Sequence, residues 1–65
     1  MSNNIKKFRT EQGYTLIELA NKVGISSGYL CHLENGSRKN PSINIMEKIA
    51  VALNKSIAEI FFSAK

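Results

Sequence analysis

The stretch "LIELANKVGISSGYLCHLEN", Leu16–Asn35, decides how this chain folds. Leu16, Leu19, Ala20 and Val23 recur at i, i+3, i+4 and i+7, one face of an α-helix. Thr15 precedes them with Glu18 three residues on, the spacing of a capping box. Gly24 ends that helix. A second helix begins near Ser26, where Ile25 and Leu30 are spaced for a hydrophobic staple. Asn35-Gly36 closes it with two residues that tolerate left-handed backbone. Leu30 and Leu33 turn back toward the core of the first helix.

Ala20, the turn residue Gly24 four positions later, and Leu30 six further on together make the helix-turn-helix pattern. Its reason is steric. Two helices that cross steeply need a small residue at the crossing, and the turn between them needs a positive φ. Outward from this unit the pattern stays helical. One helix is expected over Asn3–Gln12, with Ile5 and Phe8 as its apolar stripe and Gly13 after it. A fourth is expected from Ser42 or Asn44 to Leu53, striped by Met46, Ile49, Ala50 and Leu53, with Asn54 as its cap. A short fifth helix is expected over Ser56–Phe62. Ser56 and Glu59 repeat the capping-box spacing, and Ile57, Ile60 and Phe61 point inward. Met1-Ser2 and Ala64-Lys65 are expected to fray. No segment alternates as a strand does. The expected fold is all-α, five short helices in one domain spanning 1–65, with the helix-turn-helix over about 15–35.

Totals narrow the function classes. Sixty-five residues allow one small domain. One Cys allows no internal disulfide and suits a reducing compartment. No apolar run is long enough to span a membrane, and the N-terminus has no secretory signal. Nine Lys/Arg against five Glu give a net charge of +4, which favours anionic partners, nucleic acid first. The start Met and the short tail after Phe62 favour a complete protein.

These motifs resemble the phage-repressor/Cro-type helix-turn-helix family, also called the Xre family. The matching pieces are F-R-x-x-x-G at Phe8–Gly13, T-x-x-E-L-A at Thr15–Ala20 and V-G-I-S at Val23–Ser26. Y-L-x-x-L-E-N-G at Tyr29–Gly36, N-P-S at Asn40–Ser42 and M-E-K-I-A-x-A-L at Met46–Leu53 continue the series. The similarity spans roughly residues 4 to 62, and its specificity lies in the ordered set rather than in any one piece. It implies a compact five-helix domain of the lambda-repressor type. It also implies a sequence-specific transcriptional regulator of double-stranded DNA, acting as a repressor in the cytoplasm with no cofactor. Its third helix, 26–35, would enter the major groove while the second crosses the backbone.

The resemblance places base-edge contacts at Ser27, Gly28 and His32, with Tyr29 beside them. Helical phase agrees, because these residues lie away from Leu30 and Leu33, with Cys31 and Asn35 on the same outward side. Ser reaches several bases, and His32 can donate to a guanine acceptor. Tyr29 has two readings: base contact, or packing at the domain edge with its hydroxyl on a phosphate. Backbone contacts are expected from Thr15, Leu16, Ser26, Asn35, Ser37, Arg38, Lys39, Asn40 and Ser42, whose hydroxyls, amides, charges and helix-start N–H groups suit phosphate oxygens. The family departs here at Leu16-Ile17, where many members carry Gln-Glu. Leu16 offers only its backbone N–H, and Ile17 is expected to be a partly exposed apolar residue. The resemblance also joins Arg9 and Glu34 as a partly buried ion pair between helices one and three.

Rival readings of the same residues are weaker. Cys31 and His32 are neighbours on a helix, so they point about 100° apart and do not form a catalytic pair. No Asp is present to orient the imidazole. One Cys and one His do not supply the ligands of a structural zinc site. A membrane-surface peptide fits poorly with five capped helices. A protein-interaction module, antitoxin-like or antirepressor-like, is the alternative on the same fold. No pocket for a small-molecule ligand is legible. A reader this small is expected to work as a two-fold homodimer on a palindromic operator. The C-terminal helix (Ile60, Phe61, Phe62) and the loop after helix three are the candidate dimer surfaces.

Overall fold

The computed structural model describes residues 3–36 and 41–62. Four α-helices run in order: α1 Ile5–Glu11, α2 Leu16–Val23, α3 Ser27–Asn35 and α4 Ile43–Leu53. A fifth element, α5 Ala58–Phe62, is wound as a π-helix. The described residues contain no strand.

The helix boundaries follow from their caps. Thr15 accepts a hydrogen bond from the Glu18 N–H at 3.0 Å, and Glu18 accepts one from the Thr15 N–H at 2.8 Å. This reciprocal box satisfies donors that the first turn of α2 leaves without partners. Ser26 and Ser42 cap α3 and α4 by one bond each, accepting from the Tyr29 and Ile45 N–H groups. Gly24 ends α2 at φ +91°, a backbone only glycine adopts without strain. Asn54 ends α4 in left-handed backbone at φ +57°. Helix one is shorter than the expected 3–12, because Asn3 and Asn4 are used as ties instead. Ser56 and Glu59 form the second reciprocal box, which starts the turn leading into α5.

One core lies between the elements. Ile5, Leu19, Leu30, Leu33, Ile49, Leu53 and Ile60 are fully buried, one or two from each helix. Ala20 is buried where α2 packs on its neighbours. Ala52 joins the α4 stripe, while Met46 and Ile57 are half-buried at its edge. Ile17 is 63% exposed.

Three side-chain amides close the assembly by capping carbonyls where helices end. Asn3 donates to the Leu33 carbonyl at 2.8 Å, Asn4 to that of Glu59 at 2.9 Å, and Gln12 to that of Leu53 at 2.6 Å. The last carbonyls of a helix have no partner within it, so α1 and its leading residues supply partners to α3, α5 and α4. Among the described residues no buried side-chain polar atom is left unpaired.

Leu53→Ala is expected to cost about 2–5 kcal/mol, read from the denaturant midpoint. That is a large share of the total stability of so small a domain. The hydrogen bonds from Ser56, backbone first, and then the charge of Lys55 hold the Glu59 carboxylate below its usual 4.5. The stabilisation from this box is therefore complete above about pH 4.5 and is lost as pH falls through the lowered folded value. Glu59→Gln is expected to flatten that part of the acid limb in a stability–pH series.

Candidate nucleic-acid interface

α3 is held down by Leu30 and Leu33, both essentially inaccessible. What remains outward is fixed by helical phase. Gly28, His32 and Asn35 are exposed, with Ser27 and Cys31 half-buried beside them. This brings Ser27, Gly28 and His32 onto one outward face. Tyr29 is half-buried, and its side chain packs against the core at the edge of that face. The Asn35 amide donates to the Cys31 sulfur at 3.6 Å.

Thr15, Ser26 and Ser42 stand at three helix starts. Each hydroxyl already accepts from a backbone N–H of its own helix. Each keeps its own proton, which it can donate to an anionic oxygen. Leu16 is half-buried against the core, so its side chain is not offered outward. Its backbone N–H, in the first turn of α2, is a donor with no helical acceptor. Ser37, Arg38, Lys39 and Asn40 lie outside the described residues.

A single arginine holds the unit together. Arg9 Nε donates to Glu34 Oε2 at 2.6 Å, and Nη2 reaches Oε1 at 3.3 Å, a two-point contact from α1 to α3. The third nitrogen, Nη1, donates to the Tyr14 carbonyl at 2.9 Å, just ahead of the α2 cap. The side chains of Arg9 and Glu34 are only 13% and 5% exposed, so water competes little for the pair. Arg9 thus fixes the start of α2 and the end of α3 against one scaffold helix. Lys22, in the last turn of α2, reaches back to the Tyr14 hydroxyl at 2.6 Å.

Sequence reasoning did not find the Asn3, Asn4 and Gln12 ties or the second bond of Arg9. Their acceptors are backbone carbonyls, which carry no residue-type signal. At the C-terminus Ile60 and Phe61 are buried in the core, as their phase implied, and Phe62, 64% exposed, is the large apolar side chain α5 leaves outward.

This geometry is that of a helix-turn-helix domain, and comparison with known proteins agrees. A helix-turn-helix family model matches residues 5–60. The chain belongs to that family, of the phage-repressor/Cro (Xre) type. It is 40% identical over 57 residues to the HTH-type transcriptional regulator SinR of Bacillus subtilis, covering 88% of this chain and 51% of SinR. The chain thus spans about half the length of that relative. It is 35% identical over 60 residues to the immunity repressor protein of Bacillus phage phi105, covering 92% of this chain and 41% of the repressor. Among solved structures, SinR in complex with DNA superposes with a TM-score of 0.77 at 43% identity, covering 82% of this chain and 84% of that one.

Removing one partner of a buried ion pair strands the other charge. Glu34→Ala is expected to cost about 3 kcal/mol and to lower Tm by more than about 10 °C. The double replacement Arg9→Met/Glu34→Leu is expected to melt above the single variant, because it leaves no stranded charge. An unchanged melting temperature for Glu34→Ala would refute the structural role of the pair.

Proposed function

We propose that this chain is a sequence-specific, double-stranded-DNA-binding domain of a transcriptional repressor, working in the cytoplasm, with α3 in the major groove. The observation that carries the reading is the division of α3. Its apolar residues are fully buried and its end is locked by Arg9. Its outward face holds small and polar side chains, Ser27, Gly28, His32 and Asn35, that the fold does not use for its core. Such a face has the size and hydrogen-bonding capacity to meet base edges. The SinR–DNA complex shows a relative of the same fold on DNA.

In this reading His32 and Ser27 meet base edges, with Tyr29 supporting from the side. Thr15, Ser26 and Ser42 donate their hydroxyl protons to phosphates, and the α2 start adds the Leu16 N–H. Asn35 contacts the DNA backbone at the end of α3, and Ser37, Arg38, Lys39 and Asn40 supply further phosphate contacts by residue type. Two copies on a palindromic site would place their α3 helices about 34 Å apart. Exposed Phe62 is the side chain of α5 available for that contact.

Selection from a random duplex pool is expected to enrich one palindromic motif. Binding to it is expected to fall by orders of magnitude between about 50 and 200 mM salt. His32→Ala is expected to relax preference at one base pair per half-site, about 1–3 kcal/mol. No enrichment and no binding at low salt would overturn the reading and leave the protein-interaction role. Sedimentation on the selected duplex tests the dimer. Phe62→Ala is expected to weaken it, and a wild type that binds the palindrome strictly as a monomer would remove it.

A further inference from the structure

Gly28 is a glycine that the fold does not need. It lies in the first turn of α3, and its φ is not positive. A Cβ built on it would meet nothing within 4 Å. Glycine in a helix is worse than alanine for backbone entropy. The chain therefore keeps a less stable residue where alanine would fit, and nothing inside the described structure gains from it.

The surroundings of Gly28 define what it leaves open. Cys31 and His32 sit three and four residues later, so they share its face, and helical side chains lean toward the N-terminus. Cys31 and His32 therefore flank the open space over the bare Gly28 backbone, and neither side chain comes within 4 Å of where a Cβ would stand. Cys31 brings a small, polarisable sulfur to this side of the face, engaged by the Asn35 amide at 3.6 Å. Gly28 itself brings no side-chain donor or acceptor to that space. Among major-groove base edges, the thymine 5-methyl is the apolar group. We propose that Gly28 is a specificity-determining residue, and that the open space over its bare backbone takes a thymine methyl. This rests on the DNA-binding reading above.

The test uses the duplex that the wild-type chain selects from a random pool. Each thymine is replaced in turn by deoxyuridine, which removes only the methyl. The wild type is expected to lose about 3- to 10-fold in affinity at one thymine per half-site. Gly28→Ala is expected to raise Tm by roughly 2–5 °C, yet to bind the all-thymine duplex more weakly and to ignore the uracil change at that position. Gly28→Ala binding as tightly as wild type would overturn the proposal, as would wild-type binding insensitive to every uracil. A lower Tm for Gly28→Ala would overturn the premise that the fold does not need this glycine. If the pool yields no selected duplex, the DNA-binding reading itself fails, an outcome distinct from these.

Discussion

Arg9 is the constraint on which the functional surface depends. Its guanidinium spends two nitrogens on Glu34 near the end of α3 and the third on the Tyr14 carbonyl at the entry to α2. A lysine has one charged nitrogen and no rigid fork, so it would not hold both partners in one plane. The two helices of the motif are short, eight and nine residues. Isolated helices of this length are marginal in water. Their angle and register therefore come from tertiary contacts, and Arg9 is the polar contact that reaches both.

The rest of the scaffold works toward the same end. A core of one or two fully buried side chains per helix is thin. It is completed by polar ties that leave few helix-end groups stranded. Asn3, Asn4 and Gln12 each place an amide on a carbonyl near the end of a different element. Leu33 illustrates the economy: its side chain is buried in the core, and its carbonyl accepts both from Gly36 and from Asn3. Fixing α3 from inside and at its end leaves its outer face free of structural duty.

Much of this was legible in the sequence because it depends on local chemistry. Thr15 with Glu18, and Ser56 with Glu59, carry their caps in residue type and spacing, and both boxes form as reciprocal bonds. The i, i+3, i+4 stripes identified Leu19, Ala20, Leu30, Leu33, Ile49 and Leu53 as core. Other features were not legible. Ile60 and Phe61 face inward as their phase implied, but the π-winding of α5 has no sequence signal, since nothing in five residues distinguishes it from an α-turn. The amide-to-carbonyl ties join positions up to 55 residues apart through acceptors every residue has. The outward face of α3 was legible as a face, since phase alone defines it. That Gly28 stands there without any packing reason required coordinates, because only they show the empty space above it.

Whether the outer face of α3 meets DNA is read by titrating isotope-labelled protein with its selected duplex and following backbone amide shifts. The largest changes are expected on residues 26–36, the start of α2 at Thr15 and Leu16, and the start of α4 near Ser42. Changes centred instead on the outer side of α4, around Glu47 and Val51, with α3 undisturbed, would contradict that contact.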